Sequence, residues 1–208
     1  MKNSIAIINY GINNIFSLVK AFDQIEVKVE VVDDYKKLKY FSHYVLPGVG
    51  SFERGVINLE KKGFIDEIRF LVKKGSFIMC ICLGMQLLFE CSEENENESY
   101  GLSLVKGKCV KFKYYNKLNI RVPHIGWNSV NKARSSKLLK NVQRNSDFYF
   151  VHSYYVKPKN PEFTVGVCQH GIKFAAVIES DNILGLQFHP EKCSKNGPDI
   201  LRQFSLLS

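Results

Sequence analysis

Short apolar runs alternate with segments of helical periodicity along the first half of the chain. In chain order, the pattern predicts a strand over residues 4–8, a helix carrying Ile15, Leu18, Val19 and Phe22, strands over residues 27–31 and 44–46, helices over residues 52–59 and 65–72, a strand over residues 77–80 and a helix over residues 83–91. Gly63 and Gly75 act as stop signals after the two middle helices. Strands and helices in alternation predict an open, mainly parallel sheet flanked by helices.

The second half of the chain is richer in strand patterns. Apolar and β-branched residues cluster at residues 108–113, 148–151, 164–168, 174–179 and 183–188. An amphipathic helix over residues 198–207 follows. We therefore expect an α/β fold with extra antiparallel strands in the second half. No repeat or low-complexity linker divides the sequence, which predicts one domain over residues 1–208. The acidic stretch at residues 92–99 is interpreted as a solvated loop.

Composition and charge narrow the classes of protein. Of 208 residues, 45% are apolar and 24% are charged, and no apolar segment approaches the roughly 20 residues of a membrane span. The first residues lack the features of a signal peptide, so a cytoplasmic enzyme or binding protein is expected. The formal net charge of +9 arises from lysines dispersed along the chain rather than from one basic arm, which disfavours nucleic-acid binding.

Two cysteines, Cys80 and Cys82, lie one residue apart at the end of an apolar run. A metal clip, a redox pair or a nucleophile beside a bystander are the three interpretations. A metal site needs further ligands, and a strand residue and its turn do not converge on one ion. A sharp strand-to-helix turn presents its apex at the carboxyl edge of a parallel sheet, near a helix N-terminus, with small residues around it. Because Gly84 follows Cys82 by two residues, the pattern favours Cys82 as nucleophile and Cys80 as a buried strand residue.

A nucleophilic cysteine requires a general base. Of the five histidines, His189 follows the apolar segment 183–188 and precedes Pro190 and Glu191. A carboxylate two residues along a rigid turn can accept the second imidazole N–H, which fixes the tautomer and supports the imidazolium. Cys82, His189 and Glu191 together supply nucleophile, base and orienting carboxylate.

An oxyanion site is the remaining requirement for acyl transfer. The backbone N–H of Leu83 lies beside the predicted nucleophile at the start of a helix. A second donor is expected from the glycine-rich turn at residues 47–50, at Val49 or Gly50, where a peptide plane reorients at little cost. On this stretch alone, an ordinary loop is an equal alternative.

The order of these motifs resembles the class I, or triad-type, glutamine amidotransferases. The resemblance rests on Pro47-Gly48-Val49-Gly50, Cys82-Leu83-Gly84-Met85-Gln86 and Gln187-Phe188-His189-Pro190-Glu191-Lys192, joined by Asn9-Tyr10-Gly11, Pro123-His124-Ile125-Gly126-Trp127-Asn128 and Tyr149-Phe150-Val151-His152-Ser153-Tyr154. It covers nearly the whole chain. Within the family, the chain resembles the glutaminase subunits of imidazole glycerol phosphate synthase. The resemblance implies hydrolysis of L-glutamine to glutamate and ammonia by a Cys-His-Glu triad, without cofactor or metal.

The resemblance also implies a partner and further site residues. Ammonia would pass to a (β/α)8-barrel synthase subunit, paired with this chain as a heterodimer in histidine biosynthesis. Roles in holding glutamine fall on Gly48, Gln86, Glu94, His152, Ser153 and Tyr154, with Glu93 beside Glu94. Positions directed toward the barrel are Asn14, Trp127, Asn128 and Lys192. Without the resemblance, Gln86 would read as an ordinary polar helix residue and Trp127 as a core residue.

Three positions depart from the family pattern. Asn9 stands where aspartate is usual, and Asn13 and Cys80 stand where glycine is usual. The side chain of Cys80 touches the predicted elbow, where a distorted turn is one consequence. An alternative is therefore a paralogous glutaminase that feeds ammonia through a related barrel to another acceptor, such as a surface-glycan sugar. Two rival classes are a scaffold that has lost catalysis and another cysteine hydrolase, such as a peptidase.

Overall fold

Strands and helices alternate through the computed structural model, which describes residues 4–12, 14–94, 100–112 and 120–208. The strands are β1 (Ile5–Ile8), β2 (Val29–Val32), β3 (His43–Gly48), β4 (Phe77–Cys82), β5 (Cys91–Ser92), β6 (Gly107–Lys111), β7 (His124–Lys132), β8 (Ser146–His152), β9 (Tyr154–Pro158), β10 (Thr164–His170), β11 (Ile172–Ser180) and β12 (Ile183–Leu186). The α-helices are α1 (Ile15–Asp23), α2 (Phe52–Lys61), α3 (Phe64–Lys73), α4 (Leu83–Leu87) and α5 (Gly197–Ser205). Over these residues, no helix is long and apolar enough to cross a membrane.

A large mixed sheet organises the described residues. Its strand order is β2-β1-β3-β4-β12-β11-β10-β7-β8. The strands from β2 to β12 pair in parallel, and the remaining pairs, from β12 to β8, are antiparallel. A smaller sheet contains β5, β6 and β9. The predicted α/β fold, a parallel sheet with antiparallel strands added by the second half, is confirmed.

The inner parallel strands β1, β3, β4 and β12 are buried on both faces, with alternate side chains in two separate cores, whereas the edge strand β2 is largely exposed. In β4, Met79 and Ile81 belong to the core that receives Phe22 from α1 and Phe204 from α5. Ile78 and Cys80 point to the opposite core, which α2, α3 and α4 cover. The period of two along a strand and the helix on each face account for this division.

The helix after β4 is shorter than the sequence predicts. A helix over residues 83–91 was expected, but α4 ends at Leu87. The carbonyl of Leu87 accepts a hydrogen bond from the N–H of Leu102 at 2.7 Å, and the carbonyl of Leu88 accepts from Leu104 at 2.9 Å. Because a neighbouring segment supplies the donors that the next helical turn would have supplied, the chain leaves the helix there and enters β5.

The acidic stretch is also more ordered at its start than a solvated loop. Ser92 ends β5, and Glu94 Oε2 accepts a hydrogen bond from the Phe52 N–H at 2.7 Å, at the N-terminus of α2. A carboxylate there satisfies a helix donor and opposes the positive end of the helix dipole. The loop prediction is therefore wrong for Ser92, which lies in β5, whereas Glu93 and Glu94 form a turn. The rest of the stretch, residues 95–99, lies outside the described residues.

The packing of α1 yields a stability prediction with an internal control. Phe22 is fully buried against the sheet, whereas Phe16 on the same helix is 68% exposed. Phe22→Ala is expected to lower the free energy of unfolding by about 3–5 kcal/mol through lost burial and the cavity left behind. Phe16→Ala should change it by no more than about 0.5 kcal/mol. Denaturant unfolding measures both, and equal effects would contradict the assignment of the buried face.

Candidate active site

Cys82 lies at the apex of a sharp turn between β4 and α4. It is the last residue of the strand and the residue before the helix, with φ of 56° and ψ of −110°. A positive φ in a residue other than glycine is uncommon and costs on the order of 1–3 kcal/mol. The turn places the Cys82 side chain at the carboxyl edge of the parallel strands, beside the N-terminus of α4. This is the geometry of a nucleophile elbow.

Glycines allow the elbow to pack tightly against β3. A Cβ at Gly84 would collide with the carbonyl oxygen of Leu46, and a Cβ at Gly48 would collide with the Tyr10 hydroxyl. Gly48 also pairs directly with Cys82 in the sheet. The glycine-rich turn and the elbow are therefore held side by side, because neither carries a side chain that would separate them.

Cys80 is accommodated within the sheet without disturbing the elbow. Its side chain is fully buried, and β4 pairs with β3 from Phe77 through Cys82 without a register shift. Burial raises the pKa of the Cys80 thiol well above its ordinary value, so this group stays protonated. The pairing of β4 is therefore regular as far as Cys82, where the turn begins. Cys80 and Cys82 point to opposite cores and do not converge.

His189 reaches the elbow because β12 runs parallel to β4. Leu186 pairs with Ile81, so the residues that follow each strand emerge at the same edge of the sheet. The His189 backbone N–H donates to the Tyr149 carbonyl at 3.0 Å, which fixes the turn beyond β12. His189 Nδ1 lies 2.8 Å from Glu191 Oε1, with both side chains nearly buried.

The electrostatics of this pair favour a protonated imidazole. Burial lowers the pKa of His189, but the Cys82 sulfur and the Glu191 carboxylate together raise it well above its ordinary value. In the described part of the chain, the buried side-chain atoms without a hydrogen-bond partner are Tyr10 OH, His189 Nε2 and Glu191 Oε2. The three residues surround the elbow, so the unsatisfied polar atoms are concentrated at the candidate site.

The two predicted oxyanion donors differ in their availability. Leu83 begins α4 directly after Cys82, so its N–H lies at the free end of a helix. The Val49 N–H, in contrast, donates to the carbonyl of Ile12 at 3.2 Å. Gly50 has φ of 105°, and nothing lies within 4 Å of where its Cβ would be. In this conformation Val49 is not an oxyanion donor, although the glycine beside it permits the peptide to turn.

Gln86 is tied to the nucleophile through a residue that the sequence interpretation did not assign. Gln86 Nε2 donates to the Tyr154 carbonyl at 3.0 Å and to Gln187 Oε1 at 3.3 Å. Gln187 is fully buried and its Nε2 lies 3.8 Å from Cys82 Sγ. A glutamine inside the apolar segment 183–188 is an unusual buried polar residue, a signal that marks Gln187 in the sequence but does not give its role.

The other predicted substrate residues gather on the same side of the elbow. Glu94 and Glu93 raise the pKa of Tyr154, after burial as the larger cause, which places both carboxylates near this tyrosine. Their hydrogen bonds are structural: Glu94 caps α2, and Glu93 bonds Lys108 Nζ at 2.8 Å and the Lys111 N–H at 3.2 Å. The Ser153 carbonyl accepts a hydrogen bond from the Phe112 N–H at 3.2 Å, which anchors the segment between β8 and β9 to the end of β6.

The positions predicted to face a partner are mostly on the surface. Asn14 and Lys192 are exposed, and Trp127 is 59% exposed, so Trp127 is not a core residue. Lys192 Nζ lies 4.5 Å from the centre of the Tyr149 ring, which Trp127 contacts edge-on. Asn128 differs, because it is half-buried and its amide bonds groups within the chain.

A narrow gap leads from the surface at Asn14 to the candidate site. Its walls include Val49, Ile81, His189 and Glu191. Across residues 4–12, 14–94, 100–112 and 120–208, no three His, Cys, Asp or Glu side chains are grouped as metal ligands would be. The chemistry that the described groups offer is a thiol, an imidazole, a carboxylate and backbone donors, which is the set required for acyl transfer.

Comparisons with known proteins identify the family of this chain. Residues 6–207 match the family described as glutamine amidotransferase class-I. The imidazole glycerol phosphate synthase subunit HisH of Moorella thermoacetica is 41% identical over 203 residues, which cover 98% of this chain and 94% of that protein. The Bacillus subtilis protein of the same name is 39% identical over 206 residues, with 98% and 96% covered. PurLQS from Thermotoga maritima has a TM-score of 0.76 at 18% identity, with 98% of each chain covered, and shares the fold. The chain therefore belongs to the class I glutamine amidotransferase family.

Proposed function

We propose that the chain is the glutaminase subunit of an imidazole glycerol phosphate synthase. His189 takes the proton of the Cys82 thiol as the sulfur attacks the side-chain amide carbon of L-glutamine, and it then transfers that proton to the leaving nitrogen, which departs as ammonia. His189 then takes a proton from water, whose oxygen attacks the thioester. Glutamate leaves, and the proton returns to the Cys82 sulfur.

The observation that carries this proposal is the buried His189–Glu191 pair beside the strained Cys82 elbow. The 2.8 Å contact to Glu191 leaves Nε2 as the only imidazole nitrogen without a partner. The same nitrogen must serve as general acid in the first half of the reaction and as general base in the second. A scaffold that had lost catalysis would have no need to keep a strained backbone and unsatisfied buried atoms at one place.

The substrate side of the site fits glutamine. Both Nε2 protons of Gln86 are engaged within the protein, by Tyr154 and Gln187, so Gln86 can offer a substrate only its Oε1 acceptor. The α-ammonium group of an amino acid is a donor and suits that oxygen. Glu93 and Glu94 add negative charge nearby, which favours a positively charged substrate group over an uncharged peptide nitrogen.

The proposed partner is a (β/α)8-barrel synthase subunit, which binds this chain as a heterodimer and receives the ammonia. The relatives at about 40% identity are named as subunits of imidazole glycerol phosphate synthase and align over nearly their whole length. Asn14 lines the gap that leads to His189, and Trp127 and Lys192 are exposed, so all three side chains are accessible to a partner. Imidazole glycerol phosphate and aminoimidazole carboxamide ribotide are the products proposed for the complex.

The departures from the family pattern bear on the choice of acceptor. Asn9 Oδ1 accepts a hydrogen bond from the Gly11 N–H at 3.2 Å, a role that an aspartate oxygen would also fill. The change from aspartate at this turn is therefore conservative in its hydrogen bonding. Asn13 lies outside the described residues. A paralogue that supplies a surface-glycan sugar is the alternative that the products of the complex would reveal.

Separate substitutions of Cys82 and Cys80 distinguish the proposed nucleophile from the buried cysteine beside it. Cys82→Ser is expected to lower glutamate formation from glutamine at least about 10³-fold, because a serine hydroxyl is a much weaker nucleophile than a cysteine sulfur. Cys80→Gly is the matched control. It should keep most of the activity while the melting temperature falls by a few degrees, since a buried side chain is lost from a strand.

Glutamate release and thermal denaturation measure these two effects. Loss of activity in Cys80→Ser with activity retained in Cys82→Ser would place the nucleophile two residues earlier. A parallel panel of peptide and ester substrates separates the glutaminase from another cysteine hydrolase, which would show no preference for glutamine.

The state of Val49 predicts that the barrel subunit stimulates glutamine hydrolysis. Its N–H is held by Ile12, so the isolated chain lacks one oxyanion donor and should be weakly active. Freeing that donor is worth about 10²-fold in kcat or more. Glutaminase assays of the chain alone and with the barrel subunit test this, and equal, high activity in both states would contradict it. If the complex makes no imidazole glycerol phosphate from glutamine and the ribotide precursor, the paralogue assignment replaces the histidine pathway.

A further inference from the structure

Three polar side chains form a continuous chain of hydrogen bonds between the surface and the Tyr154 carbonyl. Asn128 Nδ2 lies 3.2 Å from His124 Nε2, His124 Nδ1 lies 3.1 Å from His152 Nε2, and His152 Nδ1 lies 2.8 Å from the Tyr154 oxygen. His124 and His152 are direct cross-strand neighbours on β7 and β8. The contacts therefore follow from the register of the sheet.

The direction of every hydrogen bond in this chain is fixed by its two ends. At one end, the Tyr154 carbonyl can only accept, so His152 Nδ1 carries the proton and Nε2 of a neutral ring must accept. His124 must then donate from Nδ1 and accept at Nε2. At the other end, Asn128 Nδ2 also donates to the Gln169 carbonyl at 2.9 Å, and Asn128 Oδ1 accepts from the Ser129 N–H at 2.8 Å. The two ends independently require the same direction of donation, from Asn128 through His124 and His152 to the Tyr154 carbonyl.

The surroundings of the two rings favour the neutral form that this order needs. His124 stacks between Phe150 and His170, with centroid distances of 4.8 Å and 4.1 Å. Burial, together with the neighbouring His170, lowers the pKa of His124 to about 4, and burial lowers that of His152 to about 3. An added proton on either ring would bring two N–H groups face to face.

The inner end of the chain meets the glutamine site. The Tyr154 carbonyl accepts from His152 Nδ1 and from Gln86 Nε2, which uses both of its lone pairs. Gln86 in turn donates to Gln187, whose Nε2 approaches the Cys82 sulfur. If the Tyr154 peptide moves, the orientation of Gln86 changes with it.

We propose that Asn128, His124 and His152 are positioning residues that hold the Tyr154 carbonyl, and through it Gln86, in the orientation that binds glutamine. This inference rests on the proposed glutaminase function. It changes the role of Asn128, whose amide serves the site from within the chain in addition to lying near the partner-facing surface around Trp127. None of the three side chains takes part in the proton transfers.

Replacing the hydrogen-bond donor at Asn128 with an acceptor tests this chain of hydrogen bonds. In Asn128→Asp, the carboxylate accepts from His124 Nε2 and no longer donates to the Gln169 carbonyl. With His124 neutral, its Nδ1 becomes an acceptor and His152 turns its only N–H toward it. The Tyr154 carbonyl then loses the donor from His152. Asn131→Asp is the matched control, because Asn131 is exposed on the same strand and the charge change is identical.

Two measurements decide the outcome. Imidazole ¹⁵N spectra of the histidine-labelled full chain should show the Nδ1–H tautomer for His124 and His152 in the wild type and in Asn131→Asp, and its loss at both rings in Asn128→Asp. With saturating barrel subunit, KM for glutamine should rise about tenfold in Asn128→Asp while kcat changes by less than about threefold, the loss expected for one hydrogen bond. Asn131→Asp should leave both constants unchanged.

A second pair of variants covers the case in which Asn128→Asp fails to fold. His152→Leu removes the donor to Tyr154 and should raise KM about tenfold. His152→Asn places an amide N–H near the position of Nδ1 and should restore most of the lost affinity. An Nε2–H tautomer at His152 in the wild type would overturn the proposal, as would equal KM values for Asn128→Asp and Asn131→Asp or for the two His152 variants. If the wild-type complex hydrolyses no glutamine, the proposed function fails. The tautomer spectra still decide whether the hydrogen bonds from Asn128 to Tyr154 run in the direction described.

Discussion

The site depends on the parallel pairing of β4 with β12, two strands from opposite halves of the chain. Because they run in one direction with Leu186 opposite Ile81, both leave the sheet at the same edge. Cys82 ends β4 at that edge, and His189 and Glu191 follow shortly after β12. An antiparallel arrangement would carry the histidine to the opposite edge of the sheet. The crossover connections of an α/β fold therefore bring the candidate nucleophile and the candidate base together, as is general for sites at the carboxyl ends of parallel strands.

The elbow itself is a local strain that the packing around it sustains. The positive φ of Cys82 opposes folding by on the order of 1–3 kcal/mol. Two features hold the backbone in this conformation. The pairing of β3 with β4 fixes the strand up to Cys82, and the close contact between Gly84 and Leu46 fixes the start of α4. Cys80 can replace the usual glycine because it lies on the strand side of the turn, where its thiol fills space in the core. The tight fit falls instead at Gly84 and Gly48.

Periodicity predicted the parallel half of the sheet and its helices, because those strands are apolar runs and those helices have one apolar face. It missed β7 and β9. The sequence of β7 mixes glycine, tryptophan, serine and asparagine, and its pairing with β8 and β10 rather than an apolar run makes it a strand. The triad candidates could be proposed from turn chemistry and spacing. The role of Gln187 could not, because it depends on a contact across two strands with Cys82 and Gln86.

The antiparallel half of the sheet forms the third wall of the site through backbone carbonyls. In β8, the Tyr149 carbonyl accepts from the His189 N–H and the Val151 carbonyl accepts from the Cys82 thiol at 3.9 Å, and at the start of β9 the Tyr154 carbonyl accepts from Gln86. One strand, β8, thus contacts both His189 and Cys82, and the next strand along the chain, β9, contacts Gln86. β8 pairs along its length with β7, which carries the exposed Trp127. The surface around Trp127 therefore lies on the strand next to the β8 contacts. β8, the edge strand of the large sheet, therefore forms a wall of the candidate site.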